Sequence, residues 1–148
     1  MVEPAADRRA AAAALGAEVV DPGDGDPAEQ IRSMTEGAGA DRSFETAGAP
    51  TSFLSAVRST CKGGSIMLLA SSRRPVEAPL GALLAAQLTV RTSYASCGDF
   101  PAVIEAVARG DCPLDDWISV IGLDDLLDAF GELRAGRGIK VLVDPRRP

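Results

Sequence analysis

The chain alternates short runs of β-branched and apolar residues with stretches whose apolar residues recur at helical spacing. That alternation restricts its fold more than any other feature. "AEVVD" (17–21), "DRSFETAG" (41–48), "GGSIMLLAS" (63–71), "QLTVRTSY" (87–94) and "IKVLVD" (139–144) have strand character. Between them lie helical patterns. Residues Pro4 to Leu15 place proline at a first helical position, follow it with an alanine-rich run and stop at Gly16. In "DPAEQIRSM", Asp26 can cap, Pro27 takes the first turn and Glu29 can reach back as in a capping box. Phe53, Leu54, Val57 and Cys61 share one face of a helix expected from about Pro50. Phe100, Val103, Ile104 and Val107 repeat at the same spacing, as do Leu123, Leu126, Leu127, Phe130 and Leu133. Strands and helices alternating at this interval predict βαβ units, hence an α/β fold with a mainly parallel sheet. The unbroken apolar run in "GGSIMLLAS" fits a strand covered by helices on both faces of the sheet.

With 148 residues, 46% apolar and 24% charged, the chain has the make-up of a single globular domain spanning 1–148. Its net charge of −6 argues against nucleic acid or an anionic membrane as partner, because phosphate contacts need a basic face. "RRAAAAALGA" is too short and too weakly apolar for a signal peptide, and no run approaches a membrane span. There is no histidine, which removes the usual general base and the commonest metal ligand. Cys61, Cys97 and Cys112 are odd in number and lack C-x-x-C spacing, so they are expected to be reduced, buried or half-buried thiols of a cytoplasmic protein.

"GAGADR" at Gly37 to Arg42 imitates part of a G-x-G-x-x-G phosphate loop. That motif needs a strand before it and a helix after it. Here a helix precedes and a strand follows, so it reads as a helix-to-strand turn, and "CKGGS" fails for the same reason. In open parallel sheets, ligands bind at the carboxyl ends of the strands. Those ends are Glu3, Asp21, Thr46–Gly48, Leu69–Ser71 and Thr92–Tyr94. Small residues recur there, which lets a flat ligand approach the backbone closely.

"EPAADRRAAAAALGAEVVDP", "GADRSFETAG", "GGSIMLLAS", "LTVRTSY", "DFPAVIEAVARG" and "GIKVLVDP" occur in this order with natural spacing. Together they resemble the C-terminal half of the medium-chain, zinc-type alcohol dehydrogenases, in particular the polyol and butanediol group. The resemblance covers essentially the whole chain. It implies a Rossmann-like NAD-binding domain, with residue roles carried position by position. Glu3 would accept hydrogen bonds from the adenosine ribose, favouring NAD over NADP because a carboxylate repels a 2′-phosphate. The other reading of Glu3 is an acid at a helix N-terminus. Arg8 would lean over the same ribose. Thr46, Ala47 and Gly48 would form the loop beneath the cofactor, while Leu69, Ala70 and Tyr94 would hold the nicotinamide carboxamide. Lys140 would lie near the pyrophosphate. Glu45 matches a recurrent acid, read as structural capping rather than catalytic.

The family's zinc-binding catalytic domain has no counterpart here, and neither do its first strand and glycine-rich loop, so the resemblance implies no catalytic residue and no zinc ligand in this chain. The last strand and tail, 139–148, would pair with that absent domain and are expected to lack a partner. Arg42 occupies a strand position that is usually apolar, so the strand is expected either to pair it with Asp41 or to be partly uncovered. Three readings follow. The chain is a truncated NAD-binding portion, inactive alone and weak in NAD binding; or a dimerisation module using "LTVRTSY" and "CPLDDWISVI", with Trp117 as an anchor or as plain core; or one subunit of a split enzyme.

Overall fold

The computed structural model describes residues 1–72, 74–111 and 114–147, so the expectation for Cys112 lies outside the described residues. Two compact units are formed, Asp24–Ala95 and Met1–Gly23 with Ser96–Pro148.

After α1 (Ala6–Ala14), which belongs to the other unit, the unit of residues 24–95 runs α2 (Pro27–Met34), β1 (Ala40–Glu45), α3 (Ser52–Ser59), β2 (Thr60–Leu68), α4 (Leu80–Ala85) and β3 (Thr89–Thr92). Its sheet has the order β1-β2-β3, with both pairs parallel. Helix α2 starts where its signals lie: Asp26 Oδ1 accepts from Ala28 N at 2.9 Å, and Pro27 needs no hydrogen-bond acceptor. Helix α3 packs on β1 and β2, with Val57 on the helix and Ile66 on β2 both buried, Ile66 at 1% exposure. Removing an aliphatic side chain of that size from water stabilises the fold by about 1.5–3 kcal/mol.

Two boundaries differ from the sequence reading. Cys61 is not on the face of α3 but in β2, because the helix ends at Thr60, whose hydroxyl donates to the Ala56 carbonyl at 2.7 Å. Gly63 and Gly64 do not form a turn before the strand. They lie inside β2, where the register slips from Ala40↔Thr60 to Arg42↔Ser65, and Gly64 brings the chain against the Asp41 carbonyl. The expected turn at Gly37–Gly39 is present. Gly39 has φ +90°, and a Cβ there would meet the Ser59 carbonyl oxygen at 2.7 Å.

The second face of this sheet carries Arg42, Phe44, Met67 and Arg91. Phe44 is 65% exposed. Arg42 is exposed as well, so the strand is partly uncovered there.

The other unit contains α1 (Ala6–Ala14), α5 (Phe100–Ala108), β4 (Ile118–Ile121), α6 (Leu126–Arg134) and β5 (Lys140–Val143). "AEVVD" contributes a single parallel bridge, Val2↔Val20, rather than a full strand. Glu3 N donates to the Val20 carbonyl at 3.2 Å, and Val20 N to that of Met1 at 2.8 Å. Strand β5 does not lack a partner: β4 pairs with it in parallel, from Ile118↔Lys140 to Ile121↔Val143. The β-branched "ISVI" supplies that ladder, a role beyond the contact surface expected of this segment. Trp117 is half-buried beside it. The apolar faces of α5 and α6 stay largely uncovered, with Phe100, Ile104, Leu127 and Phe130 exposed. Cys61 is half-buried, but Cys97 is exposed on a loop, against the expectation of burial.

Candidate functional site

In the sheet of residues 24–95, the parallel strands aim their carboxyl ends at one edge, and there Glu45 is the organising group. It is 6% exposed. Its Oε1 accepts three hydrogen bonds, from Ala47 N at 2.9 Å, Gly48 N at 2.9 Å and Ser52 Oγ at 2.7 Å. Three donors on one oxygen satisfy a buried carboxylate without a cation. Its own carbonyl accepts from Leu69 N at 2.9 Å and Ala70 N at 3.3 Å. The loop after β1 and the loop after β2 are thus both tied to the last residue of β1.

Gly48 makes that arrangement possible. Its φ is +61°, and a Cβ would lie 2.8 Å from the Ser71 carbonyl oxygen. Only a glycine lets the two loops come this close. Of the six positions expected here, Thr46, Ala47, Gly48, Leu69 and Ala70 lie together. Tyr94 makes no hydrogen bond with this network among the described residues, and 90% of its surface is exposed. The Leu69 and Ala70 carbonyls have no intramolecular donor among the described residues. They are therefore acceptors open to a donor from outside the chain.

The remaining expected residues belong to the other unit. Glu3 follows the Val2↔Val20 bridge, and its Oε1 accepts from Ala5 N at 2.9 Å, at the start of α1. The helix-terminus reading therefore describes one oxygen of Glu3. The second has no partner among the described residues, which leaves an acceptor of the kind a ribose hydroxyl needs. Arg8 makes no hydrogen bond among the described residues. Its neighbour Arg9 donates from Nη1 to the Glu3 carbonyl at 2.8 Å and pairs with Asp21. Sequence reasoning missed Arg9 because the side to which a helical arginine turns depends on the rotational phase of α1, which starts at Ala6 rather than Pro4. It also missed Ser52, a polar residue at the start of α3 with no motif to mark it.

Lys140 is exposed and opens β5. The turn before it is held against α1, with Gly138 N donating to Asp7 Oδ2 at 3.0 Å. As for metal, among the described residues no group of three or more Cys, Asp or Glu side chains is placed to hold an ion. Nor is any helix of the described residues long and apolar enough to cross a membrane.

Comparison with known proteins matches residues 1–109 to the family model described as zinc-binding dehydrogenase. The chain is 29% identical over 119 residues to a probable D-xylulose reductase A of Aspergillus clavatus, covering 78% of this chain and 33% of that protein. It is 32% identical over 148 residues to geraniol dehydrogenase of Castellaniella defragrans, covering 95% of this chain and 39% of that protein. The crystal structure of 2R,3R-butanediol dehydrogenase from Bacillus subtilis superposes with a TM-score of 0.84 at 30% identity, covering 98% of this chain and 43% of that one. The chain thus spans between a third and about two-fifths of the length of these relatives.

Proposed function

Since this chain belongs to the zinc-binding dehydrogenase family, we propose that it is the C-terminal, NAD-binding portion of an NAD-dependent zinc-type alcohol or polyol dehydrogenase. The observation that carries this reading is the pair of loops at the carboxyl ends of β1 and β2, joined through Glu45 and small enough at Gly48 for a flat ligand to approach. In a complete enzyme the dinucleotide exchanges hydride with an alcohol or ketone carbon. The residues of this chain bind and orient. Leu69 and Ala70 offer carbonyls to the carboxamide, and Gly48 leaves room for the ring. Glu3 offers a carboxylate oxygen to the adenosine ribose and disfavours a 2′-phosphate there. Arg9 holds the Glu3 and Pro4 carbonyls. Zinc, which the family name implies, finds no fitting donor set among the described residues, and no step in this chain is assigned to it. The chain by itself is proposed to be catalytically inert; turnover of an alcohol with NAD by the purified chain would overturn that.

Titration of the ¹⁵N-labelled chain with NAD and with NADP, followed by amide shifts, tests the reading. NAD is expected to move the amides around Glu3, Ala47, Gly48, Leu69 and Ala70, weakly but at these positions together. NADP is expected to leave the Glu3 region unmoved, and Glu3→Gln to narrow the difference between the two. Absence of any NAD-induced shift at these amides would overturn the assignment.

A second reading, a dimerisation module or a subunit that joins a separate catalytic domain, is favoured by β3. All four of its residues are exposed, and the strand forms one edge of its sheet. Open strand edges invite pairing with another chain. Light scattering distinguishes the two, since a clean monomer at all concentrations would count against self-pairing.

A further inference from the structure

A carboxylate 6% exposed, with no cation paired to it among the described residues, has to be held for a reason, and Glu45 is not placed for chemistry. Its Oε1 is fully occupied by Ala47 N, Gly48 N and Ser52 Oγ. Its carbonyl is occupied by Leu69 N and Ala70 N. We infer that Glu45 is a positioning residue which pre-forms both loops of the proposed nicotinamide site, its side chain fixing Ala47–Gly48 and its main chain fixing Leu69–Ala70. The inference rests on the NAD-binding reading above and deepens it.

The physical argument concerns the amides. Left free, Ala47 N–H and Gly48 N–H could turn toward solvent and take the loop through many conformations, each of which a ligand would have to reverse on binding. Drawn onto one carboxylate oxygen, they are fixed at the close approach of Gly48 to Ser71. The Leu69 and Ala70 amides are turned inward by the Glu45 carbonyl, which points their own carbonyls elsewhere and leaves these as acceptors. Ser52 Oγ also lies 2.8 Å from the Ala49 carbonyl, so its one proton is shared between that oxygen and Glu45 Oε1. The carboxylate is thereby anchored to the start of α3, a rigid element, rather than to the loop alone. A carboxylate accepts from several donors better than a neutral amide does, so glutamine is a partial substitute and alanine is none.

The test compares Glu45→Ala, Glu45→Gln and Ser52→Ala with the unaltered chain, using amide hydrogen exchange at Ala47 and Gly48 and NAD affinity from the amide titration. Glu45→Ala is expected to speed exchange at both amides, and to weaken NAD binding, by about tenfold each, because the charged hydrogen bonds holding the turn are lost. Glu45→Gln is expected to recover most of the affinity, and Ser52→Ala to fall between the two. Recovery by glutamine separates positioning from simple core packing, and urea unfolding reports whether each variant is folded. If Glu45→Ala does not fold, the graded order of Glu45→Gln and Ser52→Ala decides the matter, and equal NAD affinity in both and in the unaltered chain would overturn the inference. NAD binding by the unaltered chain with undiminished affinity in Glu45→Ala overturns the positioning role alone. No NAD-induced shift in the unaltered chain overturns the NAD-binding reading and the positioning role with it.

Discussion

The hydroxyl of Thr60 lies 2.7 Å from that of Ser43, and the same Thr60 oxygen donates to the Ala56 carbonyl at 2.7 Å. Its single proton is spent on Ala56, so Ser43 is the donor between the two hydroxyls. Thr60 is 1% exposed, and this one atom ends α3, starts β2 and joins β2 to β1. Thr60→Val keeps the shape and strands the Ser43 hydroxyl, while the Ala56 carbonyl keeps the backbone N–H of residue 60. It is expected to cost about 1–3 kcal/mol, the penalty for leaving a buried group unsatisfied, read as a lower urea midpoint. Adding Ser43→Ala is expected to cost less than the sum of the two single changes, because the second removes a group already orphaned.

Gly37 and Gly39 provide a contrast within one turn. Both have positive φ, +87° and +90°, but a Cβ at Gly37 meets nothing within 4 Å while one at Gly39 meets the Ser59 carbonyl at 2.7 Å. Left-handed strain of about 1–2 kcal/mol is common to alanine at either position. Gly39→Ala is therefore expected to lower the thermal midpoint further than Gly37→Ala. Equal midpoints would show that β2 shifts to absorb the clash.

Asp26 has two separable jobs. Oδ1 caps α2 through Ala28 N, and Oδ2 lies 2.6 Å from Arg58 Nη2. Loss of an N-cap costs about 0.5–2 kcal/mol, whereas an ion pair with a half-exposed arginine is screened by solvent and contributes little. Asp26→Asn, which keeps the cap, is expected to stay near the unaltered stability, and Asp26→Ala to lose about 1 kcal/mol by urea unfolding. A larger loss in the asparagine variant would transfer the weight to the ion pair.

Acid is expected to loosen the turn between α6 and β5. The Arg137 guanidinium, hydrogen-bonded to Glu132, holds that carboxyl below its ordinary value of 4.5. A folded value under the unfolded one means the contribution is present above pH 4.5 and is lost as pH falls through the lower, folded value. The carboxyl carbon shift of Glu132, followed by NMR, should therefore titrate below 4.5. Arg137→Gln should return it to the ordinary range. Asp144 is held down in the same direction by Arg146, and its midpoint should rise in Arg146→Gln.

Much of the local structure was legible in the sequence because its causes are local. The cap of Asp26 on α2, the glycine turn at 37–39 and the apolar run of β2 each depend on residues a few positions apart. The error over Cys61 came from periodicity alone, which cannot see that the Thr60 hydroxyl turns back onto Ala56 and ends the helix. The small residues Thr46 to Gly48 and Leu69 to Ala70 could be named from strand ends and resemblance. That they meet at one carboxylate could not, because Glu45 joins loops more than twenty residues apart through bonds no spacing encodes.

The sequence by itself determined an α/β chain with parallel strands, since alternating apolar periods leave few other ways to bury both kinds of surface. It also determined family membership, through ordered segments that need no coordinates. Only the tertiary structure decided that β5 pairs with β4, that Arg42 and Phe44 stay exposed, and that Arg9 donates to the main chain at Glu3. Partner choice between strands, the exposure of a strand residue and the direction a helical side chain takes all depend on what lies opposite in space, and sequence distance carries no record of that.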